Sequence, residues 1–397
     1  MTSAGIVSLA RERTDAAPRR IAAGRAEWRK LAALAPLRAE WRELSSRALE
    51  PNVFYDPAFA LAAAPVFGDP GAVLVWSKAG RLIGFFPACI ERRYGVIATL
   101  TGWTHPYAPF GVPVVDRDEA EAAITAFLDH VEASERLPKL VMLPLISRNG
   151  PFAAALSRTL TRRGGAAANF GDHARALLVP EGDRSTYLDH VAHKKLKELR
   201  RQRRRLEEAA PVTHDVAREP QAVAAALSDF MALEASGWKA GSAASAHPAV
   251  RAFMQSAVGS LAADGNARID RLMHGGRTIA AAVTLRSGSA AWFWKIAYDE
   301  AHARSSPGVQ LSVDLTESLL TDESVTRTDS CATADHPMID HLWRERLALT
   351  DLLIAPSRAA LTQFRLARHL EALRRRSIAV AKRARDAFKA DRATAAG

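Results

Sequence analysis

Residues Ser305 to Gln310 have the composition of a helix start that could hold a phosphate group. Ser306 suits the N-cap and Pro307 suits the first helical position, and leucines then recur every four residues. The first N–H groups of a helix lack an internal partner and lie at the positive end of its dipole. Gly308 would let a bulky anion approach the backbone. We therefore predict a pyrophosphate site here, with a capped helix that binds nothing as the alternative.

Strands upstream of this site would deliver the chain to it. The run Trp292–Tyr298 is aromatic and apolar, as in a buried strand, and the polar segment Asp299–Ser305 then breaks it. Before it, Arg268–Met273 and Thr278–Leu285 have strand character, and the turn His274–Arg277 separates them. We predict an antiparallel meander that ends at the helix start.

The composition is that of a globular protein large enough for two domains, with 397 residues, 48% hydrophobic and 24% charged. No apolar run approaches the roughly 18 residues that span a bilayer, and the apolar piece Ile6–Ala10 is too short for a signal peptide. Two cysteines, Cys89 and Cys331, are too few for a disulfide framework or a zinc site, and the histidines show no ligand spacing. These features favour a cytoplasmic protein that binds no metal.

The net charge of +11 favours anionic partners. The charge is concentrated in two segments of helical character, Lys194–Arg205 and Arg365–Lys389. Such helices could bind nucleic acid, contact an anionic membrane surface from one side, or simply face water. The first segment has no interleaved aromatic residues and no helix-turn-helix or zinc-finger pattern, so we expect no specific nucleic acid partner.

The N-terminal half combines helices, strands and one loop of unusual composition. The apolar spacing within Arg25–Ala48 predicts a helix that Pro36 kinks or divides. The loop Gly102–Pro113 is dense in aromatic residues, proline and glycine, and such loops often border ligand sites. His105 and Tyr107 are therefore candidate ligand contacts, with an ordinary structured surface loop as the alternative.

We divide the chain into a leader expected to be disordered (1–24), an N-terminal domain (25–182), a C-terminal domain (183–356) and a basic C-terminal helix and tail (357–397). The pattern Gly-Arg-x-Ile opens a strand after a hairpin turn at Gly80 and again at Gly276, which indicates an internal duplication. Within the C-terminal domain, 338–346 is predicted to be a helix and 349–355 a strand.

Four segments of the second half together resemble the GNAT acyltransferase superfamily. In chain order they are KKLKELRRQRRRLEE (Lys194–Glu208), LEASGWK (Leu233–Lys239), GGRTIAA (Gly275–Ala281) and KIAYDEAHARSSPG (Lys295–Gly308). They are similar to the bacterial branch described as cellulose-biosynthesis-like acetyltransferases, which is related in architecture to the Fem-type peptidyltransferases. The resemblance implies an α+β fold of two tandem GNAT-like domains, each a mixed, largely antiparallel sheet flanked by helices. The N-terminal copy, matched through FYDPAF, would be degenerate.

The resemblance also implies transfer of an acyl group from acetyl-CoA or another acyl-CoA to an amine or hydroxyl of a small-molecule or saccharide acceptor. The superfamily's usual phosphate loop has Arg or Gln, two residues, Gly, one residue, and then Gly or Ala. Here Arg304 is followed by Pro307, Gly308 and Val309. An aminoacyl-tRNA donor, as in Fem-type proteins, therefore stays an alternative to acyl-CoA, as does a non-catalytic protein that binds nucleic acid or an anionic surface.

Direct transfer needs a base for the acceptor, donors for the oxyanion and an acid for the thiolate, but no covalent nucleophile. No G-x-S-x-G elbow is present, in agreement with such a mechanism. The predicted catalytic residues are Glu234 as base, then Asp335 or His336, and Tyr298 as acid. The predicted donor-binding residues are Ile296, Ala297, Arg304, Ser305, Ser306, Pro307, Gly308, Val309 and Gln310, with backbone N–H groups at Ile296 and Ala297 facing the oxyanion. The predicted acceptor-binding residues are Trp238, Lys239 and Lys295.

Overall fold

A computed structural model describes residues 24–180, 184–191, 193–236 and 247–394. One sheet contains the strands β1 (Ala26–Lys30), β2 (Gly71–Trp76), β3 (Leu82–Arg93), β4 (Ile97–Gly102), β5 (Val114–Val115), β6 (Val141–Ser147), β7 (Ala166–Leu178), β8 (Val212–Ala217), β9 (Ala267–His274), β10 (Arg277–Ser287), β11 (Ala290–Tyr298), β12 (Arg327–Asp329) and β13 (Glu345–Ala355). The α-helices are α1 (Arg38–Ser46), α2 (Pro57–Phe67), α3 (Ala120–Ala133), α4 (Pro151–Arg163), α5 (His193–Glu207), α6 (Pro220–Ser236), α7 (Pro248–Ala263), α8 (Pro307–Thr321) and α9 (Leu361–Thr394).

The strand order of the sheet is symmetric about its centre, so that each strand in this order has a counterpart in the other half. It is β1-β2-β3-β4-β6-β13-β7-β12-β11-β10-β9-β8, with β5 paired to β3. Counted from the two edges, β1 to β4 correspond to β8 to β11, and β6 corresponds to β12. The two parallel pairs, β4 with β6 and β11 with β12, occupy corresponding positions. This symmetry supports the internal duplication that the hairpin motif indicates.

The last strand of each half lies in the sheet of the other half. Strand β13, from the end of the second half, pairs antiparallel with β6 of the first. Strand β7, from the end of the first half, pairs with β12 of the second. The two exchanged strands also pair with each other along most of their length. The division at 182/183 stays a prediction, and a continuous sheet crosses it.

Successive residues of a strand point to opposite faces, which places the helices in two layers. In β3, Phe85 contacts Trp41 of α1, while the next residue, Phe86, stacks on Phe127 of α3. In β11, Phe293 packs in the apolar cluster with α8, and Trp294 contacts Phe253 of α7. Helices α1, α2, α6, α7 and α9 therefore cover one face, and α3, α4, α5 and α8 cover the other.

Two predicted helices are wrong. Within Arg25–Ala48, residues Ala26–Lys30 form edge strand β1, a 3-10 helix spans Leu31–Leu37 with Pro36 inside it, and only then does α1 begin. Strand β1 forms because its whole length pairs with β2. The predicted helix at 338–346 contains only the single 3-10 turn Ile339–His341. Its last two residues belong instead to β13, because pairing with β7 continues to Glu345.

Candidate functional site

One edge of β11 is open beside the end of β12. Strand β12 pairs with β11 only from Ala290 to Trp292, and it ends at Asp329. From Phe293 onward, the edge of β11 that faces away from β10 has no strand partner in the described part of the chain. Two parallel strands that separate in this way leave backbone N–H groups available to a ligand. We call this opening the sheet gap.

The register between β10 and β11 decides which N–H groups face the sheet gap. The Asp299 amide donates to the Ile279 carbonyl at 2.8 Å, one position beyond the pair Ala280 and Tyr298. Bonded and non-bonded pairs alternate in an antiparallel ladder, so the N–H of Ala297 points to β10 and that of Ile296 points into the gap. Of the two predicted oxyanion donors, the geometry therefore retains Ile296 and removes Ala297.

A buried ion pair directs the chain away from β11 where β12 ends. The side chains of Arg175 and Asp329 are almost fully buried and hydrogen-bonded to each other. The other Asp329 oxygen accepts the Cys331 amide at 3.0 Å, and Cys331 has the left-handed φ of 53°. Burial, with the Asp329 carboxylate nearby, raises the pKa of the Cys331 thiol well above its ordinary value, so it stays protonated. Sequence reasoning missed this pair because its members are 154 residues apart.

The start of α8 lies beyond the end of β11, after a 3-10 helix at Glu300–Ser305. Ser306 occupies the predicted N-cap position, but its side chain makes no cap hydrogen bond and its φ is 50°. A left-handed serine costs roughly 1–2 kcal/mol, and such strain is common at functional sites. The leucines spaced four apart, Leu311, Leu315 and Leu319, are all buried.

Only part of the predicted phosphate site has free donors. The amides of Val309 and Gln310 donate to the Ser306 carbonyl at 3.0 and 3.1 Å, which corrects their predicted role as anion donors. Pro307 has no N–H group. Among the described backbone amides in the first turn of α8, that of Gly308 makes no hydrogen bond. The exposed guanidinium of Arg304 precedes it and forms no ion pair within the described ranges. One amide and one cation therefore remain for a phosphate.

Tyr298 lies against Gly308 on the α8 face of the sheet. A Cβ at Gly308 would stand 3.2 Å from Cδ1 of Tyr298 and 3.7 Å from Cδ1 of Ile296. Tyr298 is 37% exposed, and its hydroxyl makes no hydrogen bond to any described residue. Gly308 therefore keeps a close approach open between the end of the strand and the helix start.

On the opposite face, three side chains meet beside the sheet gap. The Lys295 ammonium is 3.7 Å from Oε1 of Glu234, near the end of α6, and 4.3 Å from the ring centre of Tyr107. The second oxygen of Glu234 is buried without a hydrogen-bond partner among the described residues. Burial, with the nearby Glu234 carboxylate, raises the pKa of Tyr107 to about 12. The structure thus joins predicted Glu234 and Lys295 to Tyr107 of the first half.

An aromatic wall from both halves surrounds these three residues. Trp294 donates its indole N–H to the Tyr107 carbonyl at 2.8 Å, and the His105 ring stacks on Phe67 at 4.3 Å. Burial lowers the pKa of His105 to about 3, so its ring is neutral at neutral pH. The predicted loop contacts His105 and Tyr107 therefore do reach the site, although they lie in the other half of the chain.

Other predicted site residues are not brought together. Asp335 is exposed, with a φ of 57°, and His336 accepts a hydrogen bond from the nearby Met338 amide at 3.4 Å. Neither side chain contacts Glu234 or Tyr298 by a hydrogen bond or ion pair in the described part, so the geometry does not favour either as base. Trp238 and Lys239 lie outside the described residues.

A groove of about 550 Å³ runs between α5 and α8 on the Tyr298 face. It begins at Gln310, in the first turns of α8, and continues to Thr321 at the end of that helix. Arg203 of α5 crosses it and donates to both oxygens of Asp314 at 2.9 Å. The predicted basic helix is therefore present as α5, and the structure places it beside the start of α8.

The corresponding helix start in the first half is acidic. Helix α3 has Glu119 at its N-cap position and Glu121 in its first turn. Arg81 pairs with Glu119, and Arg158 and Arg162 pair with Glu121. Carboxylates already complement the positive end of the α3 dipole and are paired with arginines, so the protein's own charges occupy this helix start.

The chain resembles known proteins in sequence over part of its length and in fold over most of it. Residues 193–336 match the family model described as Acetyltransferase (GNAT) domain. No curated protein matches the sequence. FemX matches in structure with a TM-score of 0.54 and 9% identity, over 82% of this chain and 97% of that chain. The C-terminal domain of a protein from Agrobacterium fabrum described as a lysylphosphatidylglycerol synthetase matches with a TM-score of 0.51 and 14% identity, over 81% of this chain and 92% of that chain.

These matches confirm the predicted fold class. The chain is an α+β protein with a largely antiparallel sheet flanked by helices, and the match to the GNAT domain model lies in its second half. The matched residues include the basic helix α5, Glu234, the strand β11 and the start of α8. The described residues contain no helix long and apolar enough to cross a membrane. They also contain no cluster of three or more His, Cys, Asp or Glu that could hold a metal ion.

Proposed function

We propose that this protein transfers an acyl group from a coenzyme A thioester to an amine or hydroxyl acceptor. The observation that carries the proposal is the sheet gap beside β11. On one face the gap adjoins the start of α8, with the free Gly308 amide and Arg304. On the other face it adjoins Lys295, Glu234 and Tyr107. A thioester that entered from the α8 face would meet an acceptor held on the opposite face.

In this proposal the acceptor nitrogen or oxygen attacks the thioester carbonyl, and Glu234 takes its proton. The Ile296 N–H, which points into the gap, hydrogen-bonds the oxyanion as it forms. The carbon–sulfur bond then breaks, and Tyr298, on the donor face, gives a proton to the thiolate. Lys295 holds the Glu234 carboxylate, and the aromatic wall excludes water from the acceptor. Asp335 and His336 remain alternative bases only if the acceptor approaches from their side.

The second half would hold the donor, and the first half would complete the acceptor site. The helix start of α8 offers an amide and a cation, whereas that of α3 is filled by Glu119 and Glu121. The first half instead supplies Tyr107 and His105 to the wall. The proposed donors are acetyl-CoA or a longer acyl-CoA, and the proposed acceptors are a small molecule or a saccharide. A role like that of the cellulose-biosynthesis-like acetyltransferases and a cytoplasmic location belong to the same proposal.

A second donor is favoured by one observation. The cationic helix α5 lies along the groove beside α8, where a donor much larger than coenzyme A could be held. An aminoacyl-tRNA would suit such a surface, and the Fem-type fold is shared. We therefore keep aminoacyl transfer as the alternative reaction at the same sheet gap.

The proposal is tested by calorimetric titration of the purified protein with acetyl-CoA, free CoA and an aminoacyl-tRNA. We expect saturable binding of CoA and acetyl-CoA, and release of free thiol when an acceptor is supplied. Glu234→Gln should bind CoA as the wild type does but lower the transfer rate roughly 10²- to 10⁴-fold, since it removes a general base. If the protein bound the aminoacyl-tRNA but not CoA or acetyl-CoA, the tRNA would take the place of acyl-CoA as the donor. If the folded protein bound none of these ligands, acyl transfer would be refuted.

A further inference from the structure

Exposed apolar side chains are concentrated on the C-terminal helix α9. Four of the seven large hydrophobic side chains that are exposed in the described part of the protein lie on it: Leu366, Leu373, Ile378 and Val380. Leu366, Leu373 and Val380 are 54%, 58% and 64% exposed. Each step of seven residues shifts the position around a helix by only about 20°, so these three form one stripe about 40° wide.

The stripe faces away from the body of the protein. Phe364, Ala367 and Glu371 are buried and define the opposite side of α9, which packs on β13 and β7. Helical geometry places Leu366 and Leu373 roughly 160° from Phe364 and Glu371. The stripe therefore has no cover among the described residues.

The residues that flank the stripe are cationic. Arg365, Arg376 and Arg383 lie within a turn of its three members and are exposed. From Leu361 to Arg385 the sequence contains a single acidic residue, Glu371. Its carboxylate is buried on the body side and bonded to Arg374 and Arg375. The outer face of α9, defined as these three apolar residues and three arginines, thus carries net positive charge, and the next acidic residue of the helix after Glu371 is Asp386.

We propose that the outer face of α9 binds the surface of a bilayer that contains anionic lipid. An apolar stripe flanked by arginines is the pattern of a helix that lies in the membrane interface. A second copy of the chain would bring like charges together, since both faces carry the three arginines. Nucleic acid would satisfy the arginines but would leave the apolar stripe in water. The surface lies apart from the sheet gap, so this proposal does not depend on acyl transfer.

The test is co-sedimentation of the full-length protein with phosphatidylcholine vesicles that contain or lack 30% phosphatidylglycerol. We expect binding to the anionic vesicles that weakens with salt. Replacing three basic residues, R365Q/R376Q/R383Q, should lower the partition coefficient roughly 100-fold, from about 1 kcal/mol for each charge near the surface. Replacing the stripe, L366Q/L373Q/V380Q, should lower it roughly tenfold or more without changing the net charge.

The matched control removes the same charge from the exposed side of α5, in K197Q/R204Q/R205Q. This control should bind anionic vesicles within about threefold of the wild type, because its charges lie on another helix. If the α5 control lost as much vesicle binding as R365Q/R376Q/R383Q, the assignment to α9 would be overturned. So would undiminished binding by the stripe variant, or binding of duplex DNA or RNA by a protein that binds no vesicles. Circular dichroism melting of each variant shows that the fold is intact.

Discussion

Gly308 provides the sharpest test of where the donor binds. Its amide is the free one at the start of α8, and a Cβ here would meet Tyr298 at 3.2 Å and Ile296 at 3.7 Å. Alanine needs a shift of a few tenths of an ångström, which the partly exposed Tyr298 ring can make. The two methyl groups of valine extend beyond that Cβ, so they must displace the ring or cover the amide. We therefore predict that Gly308→Ala is tolerated and that Gly308→Val blocks the phosphate.

The magnitude follows from one lost contact. A hydrogen bond to a charged group contributes about 1.5–3 kcal/mol, and each 1.4 kcal/mol is a factor of ten in affinity. The Kd for CoA should therefore rise roughly 10- to 100-fold in Gly308→Val, as measured by titration calorimetry. Pantetheine lacks the phosphates of CoA, so its Kd should change by less than about threefold.

Gly259 supplies the control for this substitution. It lies inside α7, where nothing stands within 4 Å of an added Cβ. Gly259→Val should leave the Kd for CoA unchanged, although it alters helix propensity in the same way. The reasoning would be refuted if folded Gly308→Val bound CoA within about threefold of a wild type that binds it. Equal weakening of CoA and pantetheine would also contradict a phosphate contact.

Three further predictions concern stability. Burial raises the pKa of Asp56 to about 6 from 3.8, so the protonated carboxyl stabilises the fold below pH 4, and this contribution is lost as the pH rises through 6. Asp56→Asn keeps a side chain that can cap α2. In urea unfolding, the free energy of unfolding of this variant should exceed that of the wild type by up to about 3 kcal/mol at pH 8 and should equal it at pH 4. Burial alone would raise the pKa of Glu371, but bonds from Arg374, Tyr94 and Arg375 lower it well below its ordinary value. Its contribution is therefore present above pH 4.5 and lost only in strong acid. Glu371→Gln should cost about 2–3 kcal/mol at pH 7, whereas Glu198→Gln, whose carboxylate is open to solvent, should leave the free energy of unfolding nearly unchanged. Deleting 345–397 should abolish cooperative melting of the first half as well as the second, and an intact first-half transition in calorimetry would contradict the strand exchange.

The elements of the second half could be predicted from local pattern. The meander β9 to β11, the start of α8 and the basic helix α5 each have a strong period or a turn signal in their own sequence. Strand β1 could not be predicted, because its apolar residues also fit a helix and only pairing with β2 makes it a strand. The same holds for the start of β7 at Ala166, whose strand conformation depends on pairing with β13.

The site shows the same division between local and distant information. Glu234, Lys295, Tyr298 and Gly308 lie in recognisable segments, and the structure places them around the sheet gap. The backbone register that separates Ile296 from Ala297 cannot be predicted from composition. Nor can the contact of Tyr107 with Lys295, since 188 residues of chain separate them and only the completed sheet brings the halves together.

The exchange of β7 and β13 has a consequence for synthesis on the ribosome. Strand β6 is complete at Ser147, but its neighbour β13 begins at Glu345, about 200 residues later. At roughly 5–20 residues per second, the nascent first half waits about 10–40 s with an unpaired strand edge. Such an edge is a template for pairing with other chains. Yield in the cell should therefore depend on translation speed and chaperone supply more than on the stability of the finished fold.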